Sequence, residues 1–270
     1  MMVSLAPVER LKRDFRQAAA TLSPDEARFL VDIYYQIQDY RKASASQIRS
    51  MDQEPVALLG WIFENMEKME NEVKKYLDIF SDTAMPGRWA KSLTGIGPVL
   101  AAGLLAHIDI EQAPHVGHIY NFAGLGANQE WRKGQKRPWN ARLKAICWLI
   151  GRSFNMFHNH PKCVYGPLLV ERKQYEVERN ERGENAEAAA KALATKHYDD
   201  ESPSRTAYMQ GKLPAAQLEQ RAERWVTKLF LSHYHHVAYF DRYGVAPAAP
   251  YAITHLGHAD YIEPPNWPFV

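Results

Sequence analysis

Residues 59–80 read LGWIFENMEKMENEVKKYLDIF, and apolar residues recur in this stretch at alternating steps of three and four. This spacing aligns one apolar stripe along an α-helix and matches the seam of a coiled coil. The helix could pack as a helical hairpin within its own domain, or it could pair with a second copy of the chain. Our predicted assembly is a homodimer through this seam, which consists of Leu59, Ile62, Met66, Met69, Val73, Tyr76 and Phe80.

Helix signals continue on both sides of the seam. The sequence SPDE at residues 23–26 is typical of a helix start, with a serine cap, proline in the first turn and acids behind it. A charged helix is expected over roughly Leu168–His197, and a last long helix over Pro214–Tyr243, stopped by Gly244. No pattern of period two indicates a strand, so we predict an all-α fold. The helix that starts after Ser23 is expected to extend to about Arg49. Four of its apolar residues lie on one face: Phe29, Ile33, Ile37 and Tyr40.

Composition excludes several classes of protein. The chain has 270 residues, 46% apolar and 24% charged, which is typical of a folded globular protein. Its formal net charge of +2 points to no particular partner. Two cysteines, Cys147 and Cys163, fit neither a disulfide framework nor a zinc motif. The N-terminus lacks the apolar stretch of a signal peptide, and Gly95–Ile108 is too short to span a bilayer. We therefore expect a cytoplasmic protein without a membrane segment.

Residues 93–101 read LTGIGPVLA, which has the pattern of the loop in a helix-hairpin-helix motif. Two glycines permit unusual backbone angles and leave the backbone open to a phosphate. The isoleucine between them fills the gap between the helices, and proline suits the first turn of the next helix, whose free N–H groups attract anions. Such a hairpin grips the sugar–phosphate backbone and reads little sequence. The alternative is a simple tight turn. The predicted binding residues here are Thr94, Gly95, Ile96, Gly97 and Val99.

A second stretch, IYNFAGLG at residues 119–126, repeats the glycine spacing of this hairpin. Glu130 stands where the hairpin pattern requires a small residue. The stretch is therefore either a degenerate second hairpin or a turn that ends a helix. We include Gly124 and Gly126 among the candidate nucleic-acid-binding residues.

A basic segment follows directly. Between Trp131 and Val170 there are eight lysines and arginines and no acidic residue. Trp131 and Trp139 lie among the cations, as on surfaces that contact phosphates and stack bases. A merely solvated basic face is the alternative. We predict an electrostatic track formed by Arg132, Lys133, Lys136, Arg137, Arg142 and Lys144.

These signals divide the chain into four regions. Residues 1–84 are an N-terminal helical and coiled-coil region, and residues 85–167 are a helix-hairpin-helix domain. Residues 168–244 are C-terminal helices that pack on this domain. Residues 245–270 are rich in proline and should form an extended tail, laid over the body by three aromatic residues: Tyr251, Tyr261 and Trp267.

The order of these segments is similar to that in a known family. Arg88 to about Tyr165, and then Ala222–Tyr243, resemble the second domain of the DEDD-type insertion-sequence transposases and Piv-like invertases, which are RNA-guided in at least part of the family. The hairpin with its following helix, Phe122–Leu125 and the basic segment carry the resemblance. The Leu59–Phe80 seam looks like the coiled coil that precedes this domain. The resemblance implies binding of nucleic acid.

The chain departs from this family at both catalytic centres. The family has a RuvC-like α/β domain with four acidic residues ahead of the coiled coil, whereas here only a short helical region precedes the seam. The family's second domain also supplies a serine nucleophile, but no serine or threonine occurs from Gly95 to Arg152, and Ser153 is the first. We therefore predict a DNA-binding protein, with RNA as a possible ligand, that lacks strand-transfer catalysis and needs no metal or cofactor.

Two other functions stay open at this stage. The chain could be an active transposase or nuclease whose catalytic residues come from a partner or from His158, His160 and nearby acids. It could also be a non-enzymatic scaffold for protein partners. A metal cluster of His233, His235 and His236 with His255 or His258 is less favoured than ordinary packing of these histidines.

Overall fold

The computed structural model describes residues 13–51, 57–126, 131–248 and 261–268. These residues form α-helices and one 3-10 turn at Ile110–Gln112, without any β-strand, which confirms the predicted all-α class. The helices are α1 Arg13–Ala20, α2 Pro24–Arg49, α3 Ala57–Asp82, α4 Met85–Lys91, α5 Pro98–His107, α6 Val116–Phe122, α7 Ala141–Met156, α8 Tyr165–Glu181, α9 Ala186–Thr195, α10 Pro203–Met209 and α11 Ala215–Tyr243.

Helices α2 and α3 pack against each other as an N-terminal helical hairpin. The start of α2 is a capping box, in which the Glu26 N–H donates to Ser23 Oγ and the Ser23 N–H donates to the Glu26 carboxylate, 2.8 Å away. Further along the pair, Arg41 Nε donates to Glu70 Oε2 over 2.5 Å. Gln38 donates to the same carboxylate over 3.0 Å. These polar contacts fix how the two helices align.

The apolar face of α2 that we singled out is not the face that packs. Phe29 and Tyr40 are 64% and 66% exposed. The buried stripe is Ala27, Val31 and Tyr34, on the opposite side of the helix. Helix α2 carries two apolar stripes, so periodicity alone does not identify the buried one.

The seam of α3 is divided between the interior and the surface. Tyr76 and Phe80 are buried within the chain, and Val73 packs beside them. Nearer the start of α3 the seam is more open, and Met69 is 46% exposed. Only the part of the seam up to Met69 is therefore open enough for the homodimer that we expect.

Helix α5 joins the two cores of the molecule. Its residues Val99, Ala102 and Ala106 pack with α2 and α3, whereas Ala101 and Leu104 belong to the larger cluster that includes α7 and α11. Close packing is possible because α5 is rich in small residues. A Cβ at Gly103 would lie only 2.7 Å from the Ile146 side chain on α7.

Aromatic side chains fill the larger core. Phe230 of α11 is fully buried and lies within 5.7 Å, between ring centroids, of Trp89, Phe154 and Tyr165. Helix α11 ends at Tyr243, where Gly244 adopts a φ of +71° and donates its N–H to the Phe240 carbonyl. The predicted end of this helix is thus confirmed.

The expected helix over Leu168–His197 is interrupted. The structure has two helices here, α8 and α9, with Gly183 between them at a φ of +78°. Only glycine adopts this backbone region without strain, so the break has a local cause that helical spacing does not reveal. After α9, helix α10 begins at Pro203. A small separate core forms in this part of the chain from Ala189, Tyr208, Leu213 and Leu218.

Residues 261–268 lie against the larger core. Trp89 Nε1 donates to the Pro265 carbonyl over 2.8 Å. His233 Nε2 donates to the Ile262 carbonyl, also over 2.8 Å. Tyr165 Oη donates to the other ring nitrogen of His233. This pattern requires a neutral imidazole. The remainder of the predicted tail, including Tyr251, lies outside the described residues.

Acid should weaken the fold through His233. Burial lowers the pKa of this imidazole to about 4, although its hydrogen bond to the Ile262 carbonyl acts in the opposite direction. The unfolded chain takes up the same proton near pH 6.5. The free energy of unfolding should therefore decrease by up to about 3 kcal/mol as the pH falls from 6.5 to 4. Urea denaturation across this range, compared between the native chain and His233→Gln, measures the effect. An equal slope in both proteins would contradict it.

Candidate nucleic-acid interface

The Gly95 loop forms a tight turn between α4 and α5. Gly95 has a φ of +104°, which favours glycine, and its carbonyl accepts a hydrogen bond from Ser153 Oγ over 2.5 Å. Ile96 is 5% exposed and fills the space between the helices. Gly97 is exposed and precedes α5, which no side chain caps. The first N–H groups of α5 therefore begin at an open surface.

Other residues predicted for this loop contribute backbone rather than side chain. Val99 is 6% exposed and packs on the α2–α3 core, so its side chain is not open to a ligand. Thr94 is half-buried, and its carbonyl accepts a weak hydrogen bond from Cys163 Sγ, 3.7 Å away. Any ligand at this loop would meet main-chain groups.

The two glycines of the loop should respond differently to alanine. Gly95→Ala places a side chain at positive φ, 3.3 Å from Phe154, and should lower the free energy of unfolding by about 1–3 kcal/mol. Gly97 has a φ of −95°, and an added Cβ would have no neighbour within 4 Å. Gly97→Ala should therefore lower the free energy of unfolding by less than about 1 kcal/mol. Chemical denaturation of both variants tests this difference. A stable Gly95→Ala protein would show that the turn is not as tight as described.

The second glycine stretch ends α6. The Leu125 N–H donates to the Tyr120 carbonyl over 2.8 Å, and the Gly124 N–H donates to the Asn121 carbonyl over 3.1 Å. With Gly124 at a φ of +68°, these are the two bonds of a Schellman motif. A Cβ at Gly124 would lie 2.9 Å from Trp139, so the turn packs directly on the basic segment. Of the two alternatives, the helix-ending turn is the one that forms.

The basic segment lies on the surface. Five of the six predicted track cations are exposed, namely Arg132, Lys133, Lys136, Arg137 and Arg142, whereas Lys144 is half-buried. Arg137 lies over the ring of Trp131 at 5.2 Å, and Lys144 lies over Trp139 at 4.1 Å. Trp131 is 40% exposed, whereas Trp139 is half-buried against Gly124. Trp131 thus has more free ring surface than Trp139.

Not all predicted cations are equally available. Arg142 lies 3.4 Å from Asp32 of α2, across the surface. Arg152, which belongs to the same acid-free stretch, contacts Glu223 at 3.2 Å and is balanced by it. By contrast, Arg137 and Lys144 make no ion pair with a carboxylate of the described residues. The same is true of Arg132, Lys133 and Lys136, so of the six track cations only Arg142 is paired with a described carboxylate.

Two cations of α11 join the track, and sequence reasoning missed both. Arg224 donates to the Gly126 carbonyl over 3.2 Å, and Lys228 lies over the ring of Tyr120 at 4.6 Å. In the sequence, their spacing of four residues on one face of the last helix was the signal that could have identified them. We call Arg137, Lys144, Arg224 and Lys228 the cation cluster.

Repulsion between the positive charges of the cation cluster acts on its two lysines. The pKa of Lys144 is lowered by burial and further by the positive charges of Arg224 and Arg137. The pKa of Lys228 is lowered by burial and by Arg224. Within the described chain, neither Arg224 nor Lys228 has a carboxylate ion pair. Like charges held together without a counter-charge attract anions.

The hairpin and the basic segment lie near opposite ends of α7. The Gly95 loop contacts Ser153 and Phe154, whereas Asn140 caps the other end of the helix and Lys144 lies in its first turn. With 16 residues, α7 is about 24 Å long. The loop contact at Ser153 is nine residues from Lys144, so the two surfaces are about 14 Å apart along this helix.

The alternative catalytic groups do not converge. His158 Nδ1 lies 2.6 Å from the Asn155 carbonyl, and His160 Nδ1 accepts the Lys162 N–H. No group of three potential metal ligands occurs in the part of the chain that the structure describes, and His255 and His258 lie outside it. Burial raises the pKa of Cys147 to about 12, as expected for a core thiol.

Comparison of the chain with family models, curated proteins and solved structures finds no match. Among the described helices, none combines the length and the apolar character that crossing a bilayer requires.

Proposed function

We propose that this protein binds nucleic acid, most simply DNA, through contacts with the phosphate backbone and does not cut it. The observation that carries the proposal is the cation cluster, whose four charges have no ion-pair partner among the described carboxylates. Exposed Arg132, Lys133 and Lys136 extend this positive surface, and Trp131 lies beside it. Arginine and lysine with interleaved aromatic rings are suited to phosphates and bases together.

The Gly95 loop provides a second contact in this proposal. Its exposed Gly97 and the uncapped start of α5 offer N–H groups to a phosphate. Because the loop and Lys144 of the cation cluster are about 14 Å apart along α7, one duplex would meet both surfaces across about four base pairs. The contacts are to the backbone, so binding should show little dependence on sequence.

The proposal includes a distant relationship to mobile-element transposases. Its support is the order of hairpin, glycine turn, basic segment and closing helix along the chain. A strand-cleavage assay with magnesium or manganese tests the absence of catalysis. Cleavage that is lost in the His158→Ala and His160→Ala variants would establish the nuclease alternative.

We also propose that any homodimer uses the open first part of α3. Leu58 and Met69 are 52% and 46% exposed there. Sedimentation of the native chain and of Met69→Glu distinguishes the states. A native protein that sediments as a monomer at high concentration would remove the dimer from the proposal.

Retention on duplex DNA as a function of salt tests the proposed function. Contacts from about five to seven cations predict a log–log slope of affinity against salt between about −4 and −6. A scaffold that binds only proteins should show no retention on duplex DNA, single strands or RNA at physiological salt. That result would overturn the proposal.

A further inference from the structure

A groove runs between α7 and α11, next to the cation cluster. The two helices approach closely at Gly151, where a Cβ would lie 2.8 Å from Thr227 Oγ1 and 3.2 Å from the Glu223 carbonyl oxygen. Beside this crossing the groove has a volume of about 430 Å³. This volume is within the size range of small-ligand sites.

One wall of the groove carries an exposed indole. Trp148 of α7 is 58% exposed, more than any other tryptophan among the described residues. Indole rings left open to solvent offer a face on which a nucleobase can stack. On the opposite wall, α11 contributes Gln220, and also Gln217, whose amide nitrogen already donates to Tyr208 Oη. An amide both donates and accepts hydrogen bonds, as the edge of a base requires.

The charges in the groove are unevenly distributed. Lys144 and Arg224 line it without a carboxylate partner among the described residues. The buried acid in the groove, Glu223, is already bound, since Asn155 donates to it over 2.8 Å and Arg152 over 3.2 Å. Arg221 is bound to Asn185 over 2.7 Å. The net positive charge therefore lies at Lys144 and Arg224, on the same cleft as the indole.

We propose that this groove binds single-stranded nucleic acid, with a base stacked on Trp148 and the adjoining phosphates held by Lys144 and Arg224. The proposal rests on the nucleic-acid binding proposed above and specifies the form of the ligand. In a duplex the bases are already stacked on each other, so none is free to stack on Trp148. Only an unpaired base offers both faces and its edge to the groove.

Fluorescence anisotropy with labelled strands of about 12 nucleotides tests the groove. The probes are oligo(dT), oligo(U) and a duplex of matched length, and the first two distinguish DNA from RNA as the strand bound. Trp148→Ala should weaken single-strand binding by about tenfold to a hundredfold, while duplex affinity changes by less than about twofold. Trp148→Phe should restore most of the loss because it keeps an aromatic face.

Met156→Ala is the matched control, because this residue is 76% exposed on the same helix but lies outside the groove. Its single-strand affinity should equal that of the native chain, and thermal unfolding should show that each variant is folded. The groove proposal would be overturned if Trp148→Ala left single-strand affinity unchanged, or if it reduced single-strand and duplex affinity equally. In either case the proposed function would stand. If the native chain bound none of the three probes, both the groove proposal and the proposed function would be overturned.

Discussion

Reversing four charges of the basic segment should reduce affinity for DNA by about a hundredfold or more at moderate salt. Each phosphate contact adds about 0.9 to the steepness of the salt dependence on duplex DNA, so loss of four contacts should flatten the log–log slope by about 3.6. Because these side chains are exposed, the fold should not change. The variant is Arg132→Glu, Lys133→Glu, Lys136→Glu and Arg137→Glu.

A control with the same change in net charge separates this surface from overall electrostatics. It reverses the charge of four exposed lysines in α2, α3 and α9: Lys42, Lys68, Lys74 and Lys191. None of them has a carboxylate partner among the described residues. Titrations over a range of salt concentrations should give the control a slope close to that of the native chain. If both variants lose affinity equally, net charge rather than the basic segment governs binding, and the proposed track is wrong.

Phe230→Ala should produce the largest loss of stability, about 3–5 kcal/mol. Phe230 is fully buried and contacts Trp89, Phe154 and Tyr165, which belong to three different helices. Truncation removes apolar burial and leaves a cavity that rigid neighbouring rings cannot fill.

Urea denaturation of the variant measures this loss, and Phe29→Ala serves as the control. Phe29 is the same residue type but is 64% exposed, so its truncation should change the free energy of unfolding by no more than about 0.5 kcal/mol. Similar losses in the two variants would contradict the assignment of the core to α11 and its aromatic neighbours.

Local patterns predict the parts of this fold that depend on local physics. The cap at Ser23, the end of α11 at Gly244 and the tight turn at Gly95 each follow from the backbone preferences of a few adjacent residues. The basic segment is likewise visible in the sequence, because its cations are neighbours along the chain.

Features that depend on tertiary packing escape this reasoning. Which stripe of α2 is buried depends on where α3 and α5 lie, so Phe29 and Tyr40 look like core residues in the sequence. Arg224 and Lys228 join a surface built from residues far earlier in the chain, and only the packing of α11 brings them there. The separation of hairpin and basic segment by α7 also becomes visible only in three dimensions.

The position of α5 has a consequence for ligand binding. Because this helix is packed into both cores, the exposed Gly97 at its N-terminus is attached to a well-packed part of the molecule. Groups held in advance in their bound arrangement lose little conformational entropy on association. A phosphate that docks at Gly97 would therefore meet a preorganised anchor, and the free energy of that contact would go into affinity instead of into ordering a loop.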